Sequence, residues 1–179
     1  MVEWPDGTVT TLNAVKTNQT LELKQADGKP DTRIITAPTA PIFKAADLGA
    51  DFTHRENLFV DFDRDKLLYH MVSTEGPGMA KGDVNGDGLE DFYIGGAKEQ
   101  AGALYLQQAG GTFRRTNEKL FAADAGAEDT RSLFFDADGD RDLDLYVCSG
   151  GNEFSSSSSD LADRLYLNDG QGKFRKSPQ

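Results

Sequence analysis

The run Ala103-Leu-Tyr-Leu-Gln-Gln-Ala-Gly-Gly-Thr-Phe-Arg114 aligns without a gap to Arg164-Leu-Tyr-Leu-Asn-Asp-Gly-Gln-Gly-Lys-Phe-Arg175. Leu, Tyr, Leu, Gly, Phe and Arg recur in the same places, and such a repeat governs how the rest of the chain must be read. Upstream of each copy lies an acidic stretch, beginning at Asp83 and at Asp136. The two strand blocks are 61 residues apart and the two acidic stretches 53, so the second unit carries an insertion of 8 residues. It falls at Asn152-Glu153-Phe154 and the serine run Ser155 to Ser159, a composition that predicts a flexible loop tip.

Each unit reads as an acidic loop, a strand (Asp91 to Gly95; Asp144 to Cys148), a turn, a second strand (Leu104 to Gln107; Leu165 to Asn168), a glycine turn, and a last strand starting near Phe113 or Phe174. Helical periodicity is almost absent, with one turn's worth at Asn117 to Ala123. Short strands recurring at this spacing predict an all-β fold of antiparallel β-propeller blades, each with apolar faces that only neighbouring blades cover. Closed propellers typically hold 4–8 blades, and 179 residues at 53 to 61 per unit supply only about three. A partial propeller is therefore expected, with open blade edges through which a second copy can associate.

Before the repeats, Val2-Glu3-Trp4, a Pro5-Asp6-Gly7 turn, Thr8 to Leu12 and Thr20-Leu21-Glu22-Leu23 read as a small β-hairpin module over 1–25. Residues 26–42, with Asp27-Gly28-Lys29-Pro30 and two further prolines, read as a linker or extended edge, and the blades as 43–179. A chain that opens inside a strand pattern is expected to be a piece of something longer, with Met1 an added start.

Composition narrows the partners. An apolar content of 37% together with 19 glycines suits a globular chain. A net charge of −11 repels phosphate backbones and anionic lipid alike, so nucleic acid is excluded as a partner. No run approaches the ~20 apolar residues of a membrane span, so no direct membrane insertion is expected; nor does the start read as a signal peptide. A single cysteine, Cys148, excludes an internal disulfide and any cysteine-rich zinc site.

The acidic loops carry the chemistry. Asp83, Asn85, Asp87 and Asp91 stand at positions 1, 3, 5 and 9 of the first loop, with Gly86 and Gly88 free to take positive φ. Calcium takes six to eight oxygens, and alternate residues of a tight loop can turn theirs to one point, with the Leu89 carbonyl at position 7. Magnesium prefers octahedral sites that keep its waters, so calcium is the better match. The second loop repeats acids at Asp136, Asp138, Asp140 and Asp144, but Arg141 stands where the first has Gly88. An EF-hand would place an acidic ligand at position 12 before a helix; here that position is Ile94 or Val147, inside a strand pattern. Asp61-Phe-Asp63-Arg-Asp65 imitates the opening but has Lys66 and Tyr69 at positions 6 and 9, and reads as a solvated decoy.

With these residues in view, the two units resemble FG-GAP/VCBS repeats, the calcium-binding blades of integrin α-chain propellers and of many bacterial surface proteins. The resemblance spans roughly Phe43 to Phe174. It implies two calcium ions, one on Asp83, Asn85, Asp87, Asp91 and the Leu89 carbonyl, the other on Asp136, Asp138, Asp140, Asp144 and the Asp142 carbonyl. Separately, Val2-x-Trp4-Pro5-Asp6-Gly7-x-Val9 and Asn18-Gln19-Thr20-Leu21 resemble the end of an ASPIC/UnbV domain, which commonly stands beside such propellers. Phe52-Thr-His54-Arg55-Glu56-Asn57 and Gly76-Pro77-Gly78 are similar to the lead-in of such bacterial proteins. Both resemblances imply an exported, modular protein, extracellular, periplasmic or on the outer-membrane surface, that binds protein or polysaccharide.

No nucleophile and base stand in a recognisable arrangement, so the chain is expected not to be an enzyme. The alternatives are a part of a polysaccharide lyase or hydrolase, for which only His54 and the serine insertion offer candidates, or a purely architectural spacer. His54 reads as part of a hydrogen-bond knot with Arg55, Glu56 and Asn57, His70 as packing, and Cys148 as a small buried hydrophobe. Tyr93, Tyr105, Tyr146 and Tyr166 read as packing between blades rather than platforms for sugars.

Overall fold

A computed structural model describes residues 1–31 and 45–178. The chain divides into two compact units, Met1–Ala45 and Ala46–Gln179.

In the first unit, β1 (Val2–Glu3) pairs antiparallel with β2 (Thr8–Thr10) in the register Val2 to Thr10. Gly7 takes φ +80°, and Asp6 Oδ1 accepts from the Thr8 amide (3.0 Å) and hydroxyl (2.7 Å), which locks the turn. β3 (Lys29–Pro30) pairs with the other side of β2. A Cβ on Gly28 would lie 2.3 Å from Thr8 Oγ1, so only glycine allows that approach. Thr20 to Leu23 is not a strand, contrary to its alternation: β3 takes the place beside β2, and Leu21 is left exposed. The expected linker at 26–42 thus begins with residues of this sheet; its remainder from 32, and the expected blade start at Phe43, lie outside the described residues.

The second unit holds two four-stranded antiparallel meanders. The first runs β4 (Met79–Gly82), β5 (Asp91–Ile94), β6 (Ala103–Gln107), β7 (Phe113–Thr116). The other runs β8 (Asp129–Phe135), β9 (Asp144–Ser149), β10 (Arg164–Leu167), β11 (Arg175–Lys176). The fold is all-β, its sheets open and laid out as propeller-like blades. The leading strands β4 and β8 lie side by side: the Gly78 amide donates to the Asp129 carbonyl, and a Cβ on Gly78 would fall 2.6 Å from Arg131 Cα.

Three expectations change. Two blades, not three, are built from the described residues, because 46–78 contribute no strand. That stretch instead lies along the first blade, where the Phe113 amide donates to the Leu48 carbonyl and Tyr105 donates to Asp51 (2.8 Å). Each blade also starts one strand earlier than its acidic loop. Finally, Asp61 is no solvated decoy: it is fully buried at the start of α1 (Asp61–Arg64) and accepts from the Ser73 amide and hydroxyl at 3.1 and 2.9 Å.

The core lies between the two sheets. Val84, Tyr93, Leu104 and Leu106 of the first blade meet Phe134, Leu145, Val147, Tyr166 and Phe174 of the second. Phe121, on the short helix α2 (Glu118–Ala122), sits between the blades with its ring 5.2 Å from Tyr93 and 5.3 Å from Tyr166. Burying such a ring contributes about 1.5–3 kcal/mol. Tyr93, Tyr105 and Tyr166 are buried, whereas Tyr146 is half-buried and donates to Asp163 (2.6 Å). Cys148 is also only half-buried, since its face of β9 is not covered. The serine insertion is built into the fold: Phe154 is buried, and Ser158 Oγ accepts from the Asp160 amide at the start of a 3-10 turn, Ser159–Leu161.

Candidate metal centre

The acidic loops join the first and second strands of each blade, and their internal bonding repeats position by position. Asp83 Oδ1 accepts from the Gly86 amide (2.8 Å) and Oδ2 from the Gly88 amide (2.8 Å). Asp136 Oδ1 likewise accepts from Gly139 (2.7 Å) and Oδ2 from Arg141 (3.2 Å). At position 9, Asp91 accepts from the Val84 and Gln107 amides at 3.0 and 2.8 Å, and Asp144 from Ala137 and Asn168, both at 2.8 Å. Gly86 and Gly139 take φ +75° and +87°, Gly88 takes φ +82°, and Arg141 adopts the same left-handed turn at φ +77°.

The carboxylates of Asp136, Asp138 and Asp144 each bring an oxygen within 4.8 Å of the others. Two oxygens on opposite sides of an ion at about 2.4 Å are about 4.8 Å apart, so this spacing suits calcium. One cluster of three acids that can hold a metal ion is therefore present. Among the described residues no such trio of acids forms in the first loop, where Asn85 stands in the place of Asp138. Its amide donates to Asp87 (3.0 Å), and Asp87 accepts from the Leu89 amide (2.8 Å). In the second loop Asp140 accepts from the Asp142 amide (3.1 Å) and stands outside the trio.

Crowding leaves an electrostatic signature. Burial, and after it the charge of Asp140, raises Asp138 above the usual carboxylate range. Asp142 is pushed up to about 6 by burial and then by Asp140, Asp144 and Asp138, and its Oδ1 is buried without a hydrogen-bond partner. Asp91 is raised mainly by burial. Carboxylates that resist ionisation together are relieved by a cation among them.

Residues not singled out from the sequence bind the loops to the blades. Asn168, directly after β10, donates to the Val84 carbonyl (2.7 Å) and the Leu143 carbonyl (3.1 Å) while its amide serves Asp144. The repeat itself held the signal, since Gln107 follows the other Leu-Tyr-Leu and serves Asp91 in the same way. Asp129 of the second blade accepts from Tyr93 of the first (2.7 Å) and pairs with Arg164 of its own blade, a link no local motif announces. His54 bonds Glu56 at 2.7 Å, and the Arg55 amide donates to Gln100 (3.0 Å).

Residues 83–147 match the family model of the FG-GAP-like repeat. No curated protein and no solved structure matches the chain. The matched span opens at the first residue of the first acidic loop and ends in β9, taking in both loops.

Proposed function

We propose that this chain is a calcium-stabilised, non-catalytic β-propeller segment of an exported protein, and that its blades bind protein or polysaccharide. The observation that carries the reading is the convergence of Asp136, Asp138 and Asp144 in a loop whose hydrogen bonds recur, residue for residue, around Asp83 and Asp91. Calcium would be held by Asp83, Asn85, Asp87, Asp91 and the Leu89 carbonyl in one loop, and by Asp136, Asp138, Asp140, Asp144 and the Asp142 carbonyl in the other. The ion supplies charge compensation and fixes the turn between two strands. The chain's own residues position it: Asp91 and Asp144 are held by two amides each, so their carboxylates are set before any ion arrives.

At free calcium on the order of 1 mM and a Kd of about 0.1 mM, each site adds roughly 1.4 kcal/mol of stability. Those concentrations occur outside cells, which agrees with export. The FG-GAP-like match also favours an integrin-like propeller context, and the hairpin unit reads as the end of an ASPIC/UnbV-like module. A cage filled by protein oxygens leaves no open coordination position, which is why the reading is non-catalytic. The deciding measurement is a melting scan in calcium and in chelator, with elemental analysis of the dialysed protein. Two bound equivalents and a midpoint lowered by chelation are expected; no bound metal and an unmoved midpoint would overturn the calcium reading. Retention on polysaccharide or protein columns in calcium tests the binding role, and turnover of a polysaccharide would refute the non-catalytic one.

A further inference from the structure

The first blade receives the second through one acid. Asp129, at the start of β8, accepts at Oδ2 from the Tyr93 hydroxyl (2.7 Å) and from the Gly96 amide (3.0 Å). Two glycines of the first blade make room for it. A Cβ on Gly95 would lie 2.6 Å from Asp129 Cβ, and one on Gly102 would lie 2.0 Å from the Tyr93 hydroxyl oxygen and 2.9 Å from Asp129 Oδ2. Real Cβ atoms do not approach their neighbours so closely, so a side chain at either position displaces the entering acid.

The second blade keeps both donors and lacks both glycines. At the repeat spacing of 53, Tyr146 stands for Tyr93, the Ser149 amide for that of Gly96, and Cys148 for Gly95; at the spacing of 61, Asp163 stands for Gly102. The carboxylate that meets these donors comes from the same blade. Asp163, directly before β10, accepts at Oδ2 from the Tyr146 hydroxyl (2.6 Å) and at Oδ1 from the Ser149 amide (2.9 Å). What the first blade takes from its neighbour, the second takes from itself. Hydrogen bonds to an ionised carboxylate are strong, and a further carboxylate brought to the same donors would find them engaged and meet a like charge.

We propose that Asp163, with Cys148, closes the face of the second blade that points away from the first to any blade that enters by an acid, as the second enters against the first. Leu133 pairs with Tyr146 in the β8–β9 ladder and Phe135 packs its ring against Tyr146, so both belong to this face, and both are exposed. An apolar face with free donors at its edge would accept a further blade of the same kind; with Asp163 on those donors it turns that partner away. Specificity built from an occupied site and a like charge works against the wrong partner without any contact to the right one. The closure involves neither acidic loop, so it holds with or without calcium.

Formate, a free carboxylate small enough for the place that Asp163 leaves, tests this on the full chain in chelator. In Asp163→Gly, sodium formate should raise the thermal midpoint above that in sodium chloride of equal ionic strength, while the parent, whose donors are engaged, melts alike in the two salts. Adding Tyr146→Phe to Asp163→Gly should abolish the formate effect. A parent that responds to formate as the variant does, or an Asp163→Gly protein that melts alike in both salts, overturns the proposal. The exclusion itself is tested in the first blade, where Gly102→Asp recreates the arrangement of the second. It should expel Asp129 and lower the midpoint far more than Gly110→Asp, at a position where a Cβ meets nothing within 4 Å. Equal midpoints for these two would show that an acid there does not shut out its neighbour, and would overturn the proposal as well. The formate comparison decides even where Gly102→Asp does not fold.

Discussion

The side-chain amide of Asn168 donates to the main-chain carbonyl of Val84 at 2.7 Å, tying the end of β10 in one blade to the acidic loop of the other. The Val84 amide in turn donates to Asp91, and the Asn168 amide to Asp144. One buried residue therefore reaches the position-9 acid of its own loop through its main-chain amide, and that of the neighbouring loop through its side chain and a single intervening residue. Replacing Asn168 by Ala strands the Val84 and Leu143 carbonyls, which costs about 1–3 kcal/mol for each buried group left unpaired. Asn168→Ala is expected to lower the urea midpoint and to weaken calcium at both loops together. Unchanged affinity in the first loop would show that the two are independent.

Arg141 takes φ +77° where its counterpart Gly88 takes +82°. An L-residue in that conformation costs roughly 1 kcal/mol relative to glycine, and Arg141 adds a positive charge to the loop that carries Asp136, Asp138 and Asp144. Arg141→Gly should stabilise the calcium-free protein by about that amount and tighten calcium in the second loop, while Gly88→Arg should do the opposite in the first. Calorimetric titration of both variants checks the affinities, where equal values would remove the charge argument, and an unmoved melting midpoint in chelator would remove the backbone one.

Phe121 stands between Tyr93 and Tyr166, the ring of each blade that faces the other. Truncation to Ala removes that wedge and costs about 3–5 kcal/mol, a large part of a typical domain stability. Phe121→Ala is expected to lower the thermal midpoint sharply, and Phe121→Leu, which keeps most of the volume, much less. If the blades unfold as one cooperative unit, the parent shows a single transition that both substitutions move as a whole. A second transition that does not respond to them would mean that the blades are held separately.

The sequence reading reached the blades because they are periodic and the loops because calcium spacing is. Asp91 and Asp144, Tyr105 and Tyr166, and Leu104 and Leu165 lie at equivalent repeat positions, so comparison of the chain with itself located them. β4 escaped because Met79-Ala-Lys-Gly82 has neither branched residues nor a regular apolar alternation, and it forms a strand only by pairing with β5. Asp61 looked like a failed calcium loop because its partner, Ser73, lies 12 residues on and belongs to no motif. Glu128 was equally silent: it is buried against Gly151, a neighbour 23 residues on that only the fold brings to it. Thr20 to Leu23 shows the converse, a good alternation that forms no strand, the place beside β2 being taken by β3.

The hairpin unit offers a separate test in acid. Asp6 is lowered to about 2, chiefly by the side chain of Gln25 and then by the hydroxyl and amide of Thr8. A carboxylate whose folded pKa is depressed adds stability that is present above its unfolded value, near 3.9, and is lost as pH falls through the folded value. The turn between β1 and β2 should therefore persist as pH falls through 4 and open only as it approaches about 2. Trp4 is the single tryptophan, and its indole donates to Thr10 at 2.8 Å, so its fluorescence reports this unit directly. Tryptophan emission followed between about pH 5 and 1 should change with a midpoint near 2 in the parent and at a higher pH in Thr8→Ala, which loses the hydroxyl bond. A midpoint near 4 in the parent would mean that Asp6 does not hold the turn.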